Sequence, residues 1–104
     1  MTRQEVFAAL KSLGITKVRV DFAGGHDDGG VEGITMFKDE EVLKLPVPGG
    51  ELQEALEAPV YDKYSSFAGE FYVDGTVVWN VLKEAVSMTG QESHEEWDYI
   101  KEDL

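Results

Sequence analysis

Residues 17–38 read KVRVDFAGGHDDGGVEGITMFK, and the fold turns on this stretch. From Lys17 to Ala23 the side chains alternate, with Val18, Val20 and Phe22 to one side and Lys17, Arg19 and Asp21 to the other. A period of two with one apolar side predicts a half-buried strand. Gly24 to Gly30 follows, a run of glycine and aspartate around His26 whose members tolerate unusual backbone angles or hydrogen-bond their own backbone. It predicts a reversal into a second strand, Val31 to Lys38. Two alternations compete there: Ile34 and Met36 share one side, while Val31, Thr35 and Phe37 share the other. Gly33 between them marks a bulge at which the strand changes face.

Working outward, Thr2-Arg3-Gln4-Glu5 fits a capping box. Val6, Ala9, Leu10 and Leu13 then recur at helical spacing before Gly14, which predicts a helix over Arg3 to Leu13. Downstream, Asp39-Glu40-Glu41 predicts a turn into an edge strand over Val42 to Val47, since Pro46 cannot donate a ladder bond. Leu52, Ala55, Leu56, Val60, Tyr64 and Phe67 predict a second helix, kinked or broken by Pro59. Glu70 to Val73, the hairpin signal Asp74-Gly75 and Thr76 to Val81 predict a β pair, and Val86 to Gln91 a further strand. Ser93-His94-Glu95-Glu96 repeats the capping-box pattern and predicts a short terminal helix bearing Trp97, Ile100 and Leu104 on one side. No internal repeat or linker is visible. The expected fold is a single α+β domain over residues 1–104: a largely antiparallel sheet of hairpins with two main helices on one face.

Composition narrows the function. Of the 104 residues, 42% are hydrophobic and 11% aromatic, too apolar for a disordered polyanion. There is no cysteine, which excludes disulfides, zinc–thiolate sites and cysteine nucleophiles. No apolar run approaches a membrane span, and Met1 to Glu5 alternates in polarity too early for a secretion signal, so a cytoplasmic location is expected. Nine bases against 21 acids give a net charge of -12, which repels a phosphate backbone and argues against direct nucleic-acid binding. The charge is also lopsided. Met1 to Val20 carries four bases against Glu5, while the remainder carries a net of -15.

Several of these residues carry a resemblance. Lys17 to Phe22, the turn with Asp27-Asp28-Gly29, Glu32-Gly33-Ile34, Leu45-Pro46, Ala55-Leu56-Glu57, Gly69-Glu70 and Asp74-Gly75, in that order, resemble a small bacterial and phage family catalogued only as a domain of unknown function. The resemblance covers Val18 to Met88 and departs at Pro59 and after Gly90. It implies a bacterial or mobile-element origin and no known activity.

For chemistry, the Gly24 to Gly30 turn offers a cation site through Asp27, Asp28 and His26, although its carboxylates lack the one-three-five spacing of an EF-hand loop. His94 is remote in sequence, and none of the serines lies in a nucleophile elbow. No catalytic residues and no cofactor are therefore assigned. The expected site is an acidic surface: Glu92, Glu95, Glu96, Asp98, Glu102 and Asp103 at the terminus, joined by Glu51, Glu54, Glu57 and Asp62 of the second helix. Trp97 and Tyr99 are then either partner-facing anchors or docked on the protein's own core. Mimicry of DNA would require most of these acids to gather on one face, because -12 spread evenly is about fivefold too dilute. The expected function is non-enzymatic binding of a basic, nucleic-acid-binding host or defence protein. The alternatives are a metal-dependent or carboxylate enzyme and a structural component of a mobile element.

Overall fold

The computed structural model describes residues 1–25, 28–43, 50–64, 72–93 and 97–104, with the backbone alone at Asp28, Ser93, Trp97 and Asp98. The described elements are α1 (Arg3–Ser12), β1 (Lys17–Gly25), β2 (Asp28–Lys38), β3 (Glu41–Leu43), α2 (Glu51–Tyr64), β4 (Tyr72–Asn80), β5 (Ala85–Ser93) and β6 (Trp97–Asp103). The six strands form one antiparallel sheet in the order β3-β2-β1-β4-β5-β6, an α+β architecture.

The opening helix forms as its sequence dictates. The Thr2 hydroxyl accepts from the Glu5 amide at 3.2 Å, and the Glu5 carboxylate accepts from the Thr2 amide at 2.9 Å. Hydrogen bonding to the Glu5 carboxylate, from the Thr2 amide first and then from the Thr2 side chain, lowers the pKa of that carboxyl from its ordinary value. At the other end Gly14 adopts a φ of +75°, the left-handed conformation that glycine reaches without a Cβ clash.

In β1, Val18, Val20 and Phe22 are all buried, and register carries this face across the sheet to Val77 and Trp79 of β4, Val86 and Met88 of β5 and Ile100 of β6. Val6, Phe7 and Leu10 of α1 and Leu52, Leu56, Val60 and Tyr64 of α2 join the same core. Trp79 ties both helices to the sheet. Its ring meets Phe7 edge-on with centroids 5.6 Å apart, and its indole N–H donates to the Leu56 carbonyl at 3.2 Å. The intervening sheet residues, including Lys17, Arg19, Asp21, Asp74, Thr76, Val78, Thr89, Gln91, Tyr99 and Lys101, form an outer face of exposed and half-buried side chains.

The expected bulge is present. Asp21 pairs with Gly33 but Phe22 with Val31, so Glu32 is the extra residue, and Val31 joins Ile34 and Met36 against the core. The expected edge strand is β3, with residues 44–49 outside the described part.

Three expectations are corrected. Asp74-Gly75 is no hairpin turn, because β4 runs straight through it. The turn residues are 81–84. Gly75 serves a close approach: a Cβ there would lie 2.7 Å from Cζ of Phe22 and 2.5 Å from the Thr89 carbonyl oxygen. Pro59 does not split the second helix, which continues through it to Tyr64; Phe67 lies outside the described residues. The chain from Trp97 to Asp103 is strand β6 and not a helix, since β5 offers it an open ladder from Ser87 to Ser93 and register places Ile100 beside the core.

The two halves also share a plan that the sequence hides. Each is a helix followed by a three-stranded meander, α1-β1-β2-β3 and α2-β4-β5-β6, and the first strands of the two meanders abut antiparallel at the centre of the sheet.

Candidate functional site

The acidic residues of α2 lie where helical spacing puts them. At 100° per residue, Glu57, Glu54, Glu51 and Asp62 span an arc of about 140° that avoids the buried stripe of Leu52, Leu56 and Val60. Glu51, Glu54 and Asp62 are exposed, and Glu57 is half-buried. Three ion pairs occur among the described residues: Lys11 with Glu84 at 2.7 Å, Arg19 with Asp21 at 2.9 Å, and Lys63 with Glu102. None involves the four carboxylates on this arc.

Two contacts bind the end of α2 to the last strands. The buried Tyr64 hydroxyl donates to Oε2 of Glu92 at 3.3 Å, and the Lys63 ammonium donates to Oε1 of Glu102. Burial first, and then the charge of Glu92 and the hydrogen bond to it, push the Tyr64 hydroxyl well above its ordinary pKa, so it stays protonated. Beside these contacts an open groove runs between α2, the start of α1 and β6, lined by Arg3, Pro59, Asp62, Lys63, Glu102 and Leu104. The Arg3 guanidinium is engaged by the Leu104 carbonyl at 2.7 Å.

The structure therefore brings Glu92 and Glu102 to the acidic helix but not the whole terminus. In a strand successive residues take opposite faces, so the acids of this segment do not share one side as a helix would have arranged. Tyr99 and Asp103 belong to the outer face, where Tyr99 pairs with Gln91 and is 87% exposed. Trp97 and Asp98 are placed by register alone, opposite Ser93 and Glu92. Glu95 and Glu96 lie outside the described residues, as do His94, His26 and Asp27; Asp28 begins β2. Among the described residues no group of three or more histidines and carboxylates is placed to hold a metal ion.

Sequence reading missed the Tyr64–Glu92 and Lys63–Glu102 contacts, the groove, and a polar cluster on the outer face. In that cluster Oδ1 of Asp21 accepts from both Arg19 at 2.9 Å and Thr76 at 3.0 Å, beside the bulge. Among its described side chains the outer face sets Lys17, Arg19 and Lys101 against Asp21, Asp74, Asp103 and the bulge residue Glu32, which lines the same hollow as Arg19 and Asp21. No period-two pattern in the sequence marks β6, because Tyr99 and Lys101 on one face and Ile100 and Glu102 on the other each mix an apolar with a charged residue.

Residues 1–77 match the family of unknown function DUF6878, and the chain belongs to that family. No curated relative and no solved structure matches it. No described helix is long and apolar enough to cross a membrane.

Proposed function

We propose that this protein is a small acidic binding module that engages a basic surface of a partner protein through the outward arc of α2. One observation carries the reading: Glu51, Glu54, Glu57 and Asp62 share that arc and none has a cationic partner among the described residues, while the outer sheet face intersperses three bases with its four acids. Carboxylates left unneutralised on one helix concentrate negative potential there, which steers a cationic partner and fixes its orientation. Each such contact is exposed and weak alone, so the affinity comes from several acting together.

The test uses a fluorescent lysine decapeptide as the cationic probe. Its binding should weaken steeply between 50 and 500 mM salt, because exposed charges are screened over ~10 Å at 0.1 M and ~3 Å at 1 M. The triple variant Glu51→Gln, Glu54→Gln, Asp62→Asn should bind at least ~5-fold more weakly while keeping the wild-type melting temperature. Binding that is indifferent to salt, or a triple variant that binds as the wild type does, would refute the reading.

A further inference from the structure

The two edges of the sheet differ. At one end β3 has three residues, whereas at the other β6 has seven, and no described strand pairs with its outer side. The backbone direction of β6 follows from one hydrogen bond. The Leu104 amide donates to the Val86 carbonyl at 2.7 Å, and Ser87 is the register partner of Asp103. Backbone groups alternate sides along an antiparallel strand, so Glu102, Ile100 and Asp98 also bond inward to β5. Trp97, Tyr99, Lys101 and Asp103 turn their N–H and C=O groups outward.

A seven-residue edge that no described strand covers is a template for another strand. Its own composition opposes a second copy. Pairing β6 with itself over its full length, centred on Ile100, sets Asp98 of each copy opposite Glu102 of the other. These are the closer, non-hydrogen-bonded positions, where like charges directly opposite destabilise. Glu102 is already paired with Lys63, and the carboxylate beside this edge that can favour a strand carrying cations is Asp62. The groove adjoins this edge; its own cations are engaged, Arg3 by the Leu104 carbonyl and Lys63 by Glu102, which leaves Pro59 and Leu104 to receive an apolar stem and Asp62, which has no cation among the described residues, to meet a charged head. A lysine or arginine side chain has that form.

We propose that the outer edge of β6 receives an extended basic segment of a partner protein as a seventh strand, with a lysine or arginine opposite Glu102 seated in the groove and an apolar residue opposite Ile100. The inference deepens the reading of an acidic module for a basic partner and assigns the mode of attachment: main-chain bonds for affinity and the groove for side-chain choice.

The probe is the eight-residue peptide Lys-Thr-Val-Thr-Lys-Thr-Val-Thr, in which Lys and Val stand two residues apart on one face, as the positions opposite Glu102 and Ile100 require. Lys101→Pro removes one outward N–H without touching the β5–β6 ladder, and proline is tolerated where an edge N–H faces solvent. Lys101→Ala removes the same positive charge and keeps the N–H. The alanine variant should bind the peptide as well as the wild type or better, and the proline variant at least about tenfold more weakly than the alanine variant. Amide exchange on the unmodified protein gives a second reading: saturating peptide should slow Tyr99, Lys101 and Asp103 at least about tenfold, while Ile100, Glu102 and Leu104 are already slow without it. Equal binding by the two Lys101 variants, or unchanged exchange at the outward amides, overturns the edge. A loss in the α2 triple variant alone would then leave the acidic-helix reading standing. A free protein that already dimerises with those amides protected would also overturn the proposal, since the edge would serve a second copy.

Discussion

Gly90→Ala is the sharpest test of the sheet's geometry. Gly90 of β5 faces Gly75 of β4, and a Cβ on it would sit 2.2 Å from the Asp74 carbonyl oxygen and 2.6 Å from the Gly75 Cα. Ordinary contact needs about 1 Å more, and both obstacles are backbone, with no side chain to swing aside. Strand β4 cannot retreat, because its far side is bonded to β1 along all nine residues. Overpacking costs typically ~1–3 kcal/mol when side chains can adjust, so this substitution should cost ~3 kcal/mol or more. In a domain of this size that lowers the melting temperature by roughly 12–24 °C. Gly33→Ala is the internal control: nothing lies within 4 Å of its added Cβ, and its φ is not positive. It should leave stability unchanged or raise it by up to ~1 kcal/mol through the unfolded chain. Urea unfolding of the two variants beside the wild type decides the matter. If Gly90→Ala keeps the wild-type midpoint, or Gly33→Ala loses as much as Gly90→Ala, the close approach of β4 and β5 is wrong.

Pro59 interrupts the hydrogen bond that a helix would give the Ala55 carbonyl, so Pro59→Ala should raise stability by ~1–3 kcal/mol, and a lower melting temperature would contradict the helical setting. Trp79→Phe keeps a ring against Phe7 but loses the donor to Leu56, with an expected cost of ~1–2 kcal/mol; Trp79→Ala should cost ~3–5 kcal/mol in denaturant titrations. Tyr64 holds its proton in the folded state above the pH at which the unfolded chain releases it, near 10. The folded state then binds more protons, and stability falls with rising pH by up to ~1.4 kcal/mol per unit from this group. Tyr64→Phe should narrow the loss of stability between pH 9 and pH 11, and an identical loss in both proteins would show that the hydroxyl is not so held.

What could be read from the sequence was what neighbouring residues decide. The capping box at Thr2 and Glu5, the alternation of Val18, Val20 and Phe22, and the bulge beside Gly33 need only their own segments to be recognised. The failures came where a local signal was overruled from a distance. Ser93 to Glu96 has the letters of a helix start, yet the residues after it are claimed by the free edge of β5, a partner made visible only by the register Ser87 to Ser93. Asp74-Gly75 has the letters of a hairpin, but its glycine answers to the Phe22 ring some fifty positions earlier. The same division holds for the candidate site. The acidic arc of α2 follows from helical spacing, whereas the contacts of Tyr64 and Lys63 depend on strands that pass beneath the helix much later in the chain.

The repeated plan of the two halves gives the bulge a testable meaning. Central pairing makes Lys17 equivalent to Tyr72 and Gly25 to Asn80, and the flanking ladders make Val31 equivalent to Met88 and Ile34 to Gly90. Between those last two pairs β2 holds one residue more than β5, and that residue is Glu32. The parity of a strand makes the consequence strict, because removing one residue flips every side chain beyond it unless the pairing can absorb the change. Deleting Glu32 leaves Val31, Ile34 and Met36 on the faces they already occupy, since the pairs Asp21–Gly33 and Phe22–Val31 become consecutive. The deletion should fold, with an unfolding free energy within ~1 kcal/mol of the wild type. Deleting Thr35 instead forces the ladder to take up Glu32, which moves Ile34 to the outer face and Gly33 into its place. That exchange removes an aliphatic side chain packed against the core, with an expected loss of ~1.5–3 kcal/mol. Urea titrations of the two deletions should therefore separate clearly, and equal losses would mean that Glu32 is not the residue by which β2 differs from its counterpart.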